Sequence, residues 1–184
     1  ASANTSVLLS ILLHDIGKAT TMKWVKRNGK TMVTTPEHDT KGAAIVNKII
    51  ERLKLTSMGE PTYKIDADLV EWLVLKHMLL VHGKVSEFKP GTIYRYFLSK
   101  PDWGMALQQI IMADSWATRP ADGRILFDRL IALRKKIESL KPLLNKGGSL
   151  ELLLNGNDLI NIFNLPAGPK IGKLLKILTE VQLA

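Results

Sequence analysis

The feature that most constrains this chain is a histidine next to an aspartate at the end of an apolar helical segment. Residues 6–16 have apolar side chains at helical spacing, and this apolar face continues into His14 and Asp15. A carboxylate there is partly buried and lies at the negative end of the helix dipole, and both effects are unfavourable without a positive partner. A bound cation would supply that partner. The alternative is an ion pair of Asp15 with Lys18 or Lys41, which needs no metal.

Asp114 repeats this pattern, because apolar residues precede it by three, four and seven positions on one helix face. An acid in such a stripe requires a counter-charge, and a metal ligand and a buried salt bridge are equally compatible with the spacing. His38 lies in the first turn of a predicted helix, where free backbone N–H groups suit a phosphate. It is a candidate catalytic residue, as a metal ligand or a phosphate contact, with a surface histidine as the alternative. His77 lies on an apolar helix face and is interpreted as a core residue.

A mixed set of histidine and carboxylate ligands suits a divalent metal. Mg²⁺, Mn²⁺, Fe, Ni²⁺ and Zn²⁺ are all compatible with these ligand types. Such a metal would activate water and bind phosphate oxygens during hydrolysis of a phosphoester.

The chain is predicted to be all-α, since aromatic residues make up only 6% while leucine, isoleucine, lysine and alanine are abundant. The one exception is a basic β-hairpin predicted within residues 20–35, around Asn28 and Gly29. Pro36 is expected to open the helix that follows it. The remaining helices are predicted at residues 6–16, 36–54, 66–77, 91–99, 102–118, 121–141, 157–163 and 169–182.

The predicted organisation is a helical domain over residues 1–141, a linker over 142–156 and a helical hairpin over 157–184. The linker assignment depends on a segment rich in proline, asparagine and glycine. The chain starts with alanine rather than methionine, which favours a fragment or a processed start.

The formal net charge of +9 favours a polyanionic partner, although solubility alone is an equally good explanation. Cysteine is absent, which excludes disulfides and cysteine metal sites. No segment approaches the roughly 18 apolar residues of a membrane span, and no secretory signal is present. We therefore expect a cytoplasmic protein without a membrane partner.

The segment from Leu12 to Lys18 resembles the signature of the HD phosphohydrolase superfamily. Together with Glu37-His38 and Gly42-Ala43, it is similar to the HD region of bacterial tRNA nucleotidyltransferases and poly(A) polymerases. Residues 155–159 and 168–172 resemble the segment that follows that region. The resemblance implies an HD-type helical bundle, and it implies that His14, Asp15 and Asp114 hold the metal.

The sequence departs from the family pattern in two ways. The superfamily's first metal histidine lies on a helix before the His-Asp pair, but none of the thirteen residues before His14 is histidine. The family's nucleotidyl-transfer head uses a Gly-Ser loop followed by paired aspartates on a strand. Here Asp66-Ala67-Asp68 opens a predicted helix, and Gly148-Ser149 comes after it. CCA or poly(A) addition is therefore expected only in a longer parent protein.

The C-terminal hairpin is a candidate RNA-binding element. A Gly168-Pro169 turn at a helix start leaves backbone N–H groups for a phosphate, and Lys170, Lys173 and Lys176 follow at a spacing of three. The alternative is an ordinary hairpin with a solvated lysine face, but the family resemblance favours tRNA or other RNA as the partner. The basic ribbon at residues 23–30 is a second candidate. The sequence thus leaves three functions: a metal-dependent phosphohydrolase domain, a non-catalytic RNA-binding body and an HD-derived regulatory module.

Overall fold

A computed structural model describes residues 4–57, 64–118, 127–145, 148 and 150–183. The described residues form helices, one two-stranded antiparallel sheet and a single isolated β-bridge between Leu144 and Leu150. The predicted all-α fold with a small hairpin is confirmed. Within this described part, no helix is both long enough and apolar enough to span a membrane.

The helices and strands follow one another in short steps along the chain. Their bounds are α1 Thr5–Leu13, α2 Lys18–Thr21, β1 Lys23–Arg27, β2 Lys30–Thr34, α3 His38–Arg52, α4 Ala67–Lys76, α5 Leu79–His82, α6 Pro90–Ile93, α7 Pro101–Ala117, α8 Phe127–Leu140, α9 Gly156–Phe163 and α10 Pro169–Gln182. Single turns of 3₁₀-helix occupy Leu55–Ser57, Val85–Glu87 and Lys141–Leu143, and a π-helical turn occupies Tyr94–Leu98.

The chain divides into two compact units. The first consists of Ala1–Gly83 with Met105–Phe127, and the second of Lys84–Gly104 with Asp128–Ala184. The predicted boundary at residues 142–156 stays a prediction, and part of that segment lies outside the described residues.

The core of the first unit forms where α3 packs against α4. Ala43, Val46 and Ile50 project from one face of α3 and are buried against Val70 and Val74 of α4. Removing aliphatic surface of this kind from water stabilises the fold by about 25 cal/mol per Å². Helix α1 also packs on α4, so the ends of α1, α3 and α4 are held by one apolar core.

Polar contacts at helix starts fix these helices further. The Asp66 side chain accepts a hydrogen bond from the Leu69 amide at 3.0 Å, which makes it the N-cap of α4. The Asp66 amide in turn donates to the Ser6 hydroxyl at 2.9 Å, and this ties the start of α4 to α1.

The predicted start of α3 at Pro36 was wrong. The helix begins at His38, because Glu37 adopts a left-handed conformation with φ of 55°. This turn leaves the Thr35 carbonyl beside the His38 ring.

The second unit contains α6, the π-helical turn, α8 and the two C-terminal helices. The predicted C-terminal hairpin is confirmed as α9 and α10, which pack on each other. A capping box opens α9, in which Asn155 and Asp158 each bond the other's backbone amide. The start of the predicted helix over 121–141 lies outside the described residues up to residue 126, and α8 covers the rest.

Candidate metal centre

A sharp corner after α1 carries the His-Asp pair. The helix ends at Leu13, and the chain turns through Gly17 before α2 begins. The Gly17 backbone packs so closely on α3 that an added Cβ would lie 2.0 Å from the His38 carbonyl oxygen and 2.7 Å from the Gly42 nitrogen. Only glycine fits this approach, which brings His14 and Asp15 to the start of α3.

Three histidines meet at this corner with the same local geometry. In each, ring Nδ1 lies within hydrogen-bonding distance of the carbonyl oxygen three residues earlier, at 2.8 Å for His14, 2.9 Å for His38 and 2.6 Å for His77. A carbonyl oxygen can only accept, so Nδ1 must carry the hydrogen in every ring. Each neutral ring therefore presents the lone pair of Nε2, which is the form that binds metal ions.

The first group of donor atoms joins the corner to α7. His14 Nε2 lies 3.3 Å from Asp15 Oδ2 and 3.4 Å from Asp114 Oδ1. Asp114 belongs to the last turns of α7. Ile110 and Ile111 are buried there and orient the helix so that Asp114 faces the cluster.

The second group joins the corner to α3 and α4. Asp15 Oδ1 lies 3.5 Å from His38 Nε2 and 3.8 Å from His77 Nε2, and the two Nε2 atoms are 3.3 Å apart. His38 and His77 are both buried. The two carboxylate oxygens of Asp15 therefore face two different donor groups, His14 with Asp114 and His38 with His77.

Asp15 also has a positively charged neighbour. Lys18 Nζ donates to Asp15 Oδ2 at 2.6 Å, so the ion pair considered as the alternative to a metal is present. This pair accounts for the charge of Asp15, but it supplies nothing to Asp114 or to the three Nε2 atoms. Both side chains of the pair are more than a third exposed, and such pairs stabilise a fold only weakly.

The electrostatics of the cluster follow from its charges and burial. The Asp114 carboxylate raises the pKa of His14, and burial opposes this shift. The His14 ring conversely holds the pKa of Asp114 below its ordinary value. Burial lowers the pKa of His77 and so favours its neutral form.

The donor set fits a divalent cation. His14 Nε2 is buried and has no hydrogen-bond partner among the described residues, although two carboxylate oxygens lie nearby. Nε2 of His38 and Nε2 of His77 face each other, which is repulsive unless a proton or a cation lies between them. Donor atoms that share a cation at about 2.0–2.2 Å lie roughly 3–3.5 Å from one another. The separations of 3.3–3.8 Å in the cluster are close to that range.

The structure brings most of the predicted site residues into one cluster. His14, Asp15 and Asp114, the predicted metal set, lie in one cluster, and His38 joins them as a buried residue rather than a surface one. His77 was interpreted as a core residue, and it is buried, but its Nε2 also faces the cluster. The sequence signal that could have identified His77 is the one found at His14, a histidine at the end of an apolar helix face.

The predicted RNA-binding residues lie elsewhere. Lys170, Lys173 and Lys176 are exposed on α10, in the second unit. Pro169 has no N–H, and the Ile171 amide donates to the Gly168 carbonyl oxygen at 3.0 Å. The turn at Gly168 therefore leaves fewer free amides than the sequence interpretation assumed.

A helical bundle with histidines and aspartates clustered at its helix ends defines a class of protein. The HD domain family model matches residues 3–118, and the chain belongs to this family. Over 173 residues it is 25% identical to an A-adding tRNA nucleotidyltransferase from Deinococcus radiodurans. That match covers 93% of this chain and 36% of the relative, so the chain spans little more than a third of the relative's length. No solved structure matches at a significant level. The predicted resemblance to the HD region of tRNA nucleotidyltransferases is confirmed.

Proposed function

We propose that this chain is a metal-dependent phosphohydrolase domain of the HD type. The observation that carries the proposal is the convergence of three Nε2 lone pairs and two carboxylates on one corner, where the buried His14 Nε2 has no hydrogen-bond partner among the described residues. No histidine occurs in residues 1–13, and in this proposal His38 and His77 supply the nitrogen ligands beside His14. Three imidazoles favour Mn²⁺, Fe, Ni²⁺ or Zn²⁺ over Mg²⁺, which prefers oxygen ligands.

The chain's residues have distinct roles in this proposal. His14 and Asp114 hold one side of the centre, and His38 and His77 hold the other. Asp15 joins the two sides through its two oxygens. The chemistry supplied by a bound divalent cation is activation of water and neutralisation of phosphate charge. In this proposal Lys18, which is paired with Asp15 and almost half exposed, contacts a phosphate oxygen of the substrate.

Metal analysis tests the proposal directly. The purified chain, stripped with chelator and then incubated with Mn²⁺, Ni²⁺ or Zn²⁺, should retain one or two ions per molecule after desalting. Asp15→Ala and His77→Ala should each lose at least tenfold in affinity, since each removes a ligand. Asp68→Asn changes an exposed acid on α4 and serves as the matched control.

Activity is measured with bis(p-nitrophenyl) phosphate and with a 2′,3′-cyclic nucleotide. Hydrolysis should require metal and should fall with metal content in the Asp15 and His77 variants. A chain that binds no transition metal, or whose metal content is unchanged in both variants, contradicts the proposal.

The second candidate is a non-catalytic body that holds RNA. It is favoured by the likeness to a tRNA nucleotidyltransferase and by the three exposed lysines of α10. In this proposal the nucleotidyl-transfer head belongs to a longer parent protein, because this sequence has no Gly-Ser loop ahead of paired aspartates. A metal-free chain of full stability that binds tRNA would favour this candidate over the hydrolase.

A further inference from the structure

The β1–β2 ribbon has one face that is entirely exposed. In its register Trp24 pairs with Val33 and Lys26 pairs with Thr31, and all four residues are exposed. The opposite face includes Val25 and Thr34, which are partly buried. Because side chains alternate along a strand, Trp24 and Lys26 lie on the same outer face, two residues apart.

Trp24 is unusually open for a tryptophan, with 72% of its surface exposed. Neither strand makes an extensive contact with a helix among the described residues, so the ribbon has little core of its own. A two-stranded ribbon in this state is at best marginally stable alone, and its large aromatic surface has no intramolecular use in the described part of the chain.

The charge of the ribbon indicates what kind of ligand its exposed face binds. Lys23, Lys26, Arg27 and Lys30 lie within it, and residues 16–36 contain no aspartate or glutamate. A cationic surface without acids is complementary to a polyanion. Of these cations Lys26 shares the outer face with Trp24, whereas Lys23, Arg27 and Lys30 belong to the opposite face. A ring beside a cation on one face suits single-stranded nucleic acid, since the ring stacks on a base while the cation contacts the backbone.

The position of the ribbon connects it to the metal centre. Its base is the Lys23–Thr34 pair. Before that base the chain passes through Lys18, which is paired with Asp15. After it, the Thr35 carbonyl accepts from His38 Nδ1. Both strands are thus continuous with segments that hold the cluster, and the Trp24–Val33 pair is the next one outward from the base.

We propose that the β1–β2 ribbon binds single-stranded RNA, with an unpaired base stacked on Trp24 and an adjacent phosphate contacted by Lys26. The inference rests on the proposed function in one respect, namely that the bound RNA carries the phosphoester that reaches the metal centre. RNA binding by the ribbon is itself independent of metal.

The test is the affinity of the 184-residue chain for a fluorescent single-stranded RNA of about twelve nucleotides, measured by anisotropy with chelator present. Trp24→Ala should weaken binding about tenfold, and Trp24→Phe should retain most of it because a stacking ring remains. Lys26→Ala should lower the dependence of log affinity on log salt by about 0.7. Leu8→Ala and Lys48→Ala, which change an exposed apolar residue and an exposed cation of the same unit, are the matched controls and should bind as the unchanged chain does.

Three outcomes would overturn the inference. One is an effect of Trp24→Ala smaller than twofold. Another is tighter binding to vesicles containing phosphatidylserine than to RNA, lost with Trp24, which would make the ribbon a membrane contact. The third is a dimer that Trp24→Ala converts to a monomer without any change in RNA affinity. Because chelator is present throughout, failure here leaves the metal proposal intact, and a metal-free chain leaves the RNA result intact. Circular dichroism melts of every variant exclude unfolding as the cause.

Discussion

Asp114 Oδ1 lies 3.4 Å from His14 Nε2, although the two residues are far apart in the sequence and belong to different helical segments. The contact perturbs both groups, since the pKa of His14 is raised and the pKa of Asp114 is lowered. When the His14 ring is charged, the proton on Nε2 lies where a cation would bind. Metal binding should therefore release that proton and weaken as the pH falls.

Replacing Asp114 with asparagine should lower the pKa of His14, because the carboxylate is the main cause of its elevation. The measurement is an NMR titration of the imidazole resonances with chelator present. Asp68→Asn, on the exposed face of α4, is the control. An unchanged His14 pKa in Asp114→Asn would show that the carboxylate does not act on the ring.

The His14–Asp114 pair also predicts the pH at which Asp114→Asn loses most stability. The His14 contribution is fully present below the ordinary pKa of 6.5 and is lost as the pH rises through the raised folded pKa. The Asp114 contribution is present above the ordinary pKa of 3.8 and is lost as the pH falls through the lowered folded pKa. Asp114→Asn should therefore be most destabilising, relative to the unchanged chain, near pH ~5. Urea denaturation at several pH values measures this, and a pH-independent loss would contradict it.

His77 should make the metal-free protein less stable as the pH falls. Burial lowers its folded pKa below the 6.5 of the unfolded chain, so the unfolded state takes up a proton first. Between the two values stability increases with pH. His77→Gln should flatten this part of the pH profile in urea denaturation with chelator present. A slope below pH 6.5 that is the same in both proteins would mean that other groups cause it.

Gly17→Ala should damage both the fold and the metal centre. An added methyl group at position 17 would meet backbone atoms of α3, which cannot move aside like a flexible side chain. We expect a loss of at least about 2 kcal/mol of unfolding free energy and a parallel loss of metal. Gly172→Ala is the control, because nothing lies within 4 Å of its added Cβ and alanine favours the helix. A lowered melting temperature in Gly172→Ala but not in Gly17→Ala would contradict the assignment of the corner.

Replacing Lys170, Lys173 and Lys176 with alanine should weaken tRNA binding at low salt. Each removed phosphate contact should also reduce the salt dependence, by about 0.9 in log affinity per unit of log salt for duplex regions. Filter binding over a range of salt concentrations measures both effects. Equal affinity and equal slope in the triple variant would leave α10 as an ordinary solvated helix.

The local structure of this chain was largely predictable from sequence. Asn28 and Gly29 predicted the hairpin, and the helix expected to open at Asp66 begins at Ala67 with Asp66 as its cap. The prediction at Pro36 was wrong, because proline at a helix start is a preference and the left-handed turn at Glu37 displaced the helix by two residues. Turn and cap residues act over a few positions of the chain, so they indicate that a helix or hairpin is present more reliably than they indicate where it begins or ends.

The metal cluster, too, was predictable from sequence only in part. The sequence by itself determined that His14, Asp15 and Asp114 end or interrupt apolar helix faces, where a charged group needs a partner. Only the tertiary structure decided that these faces converge, that His38 is buried with them and that the buried His77 also presents a nitrogen to the cluster. The physical reason is that helix periodicity fixes the direction of a side chain relative to its own helix. The distance between side chains on different helices depends on how the helices pack, here on the backbone contact at Gly17 and the apolar core between α3 and α4.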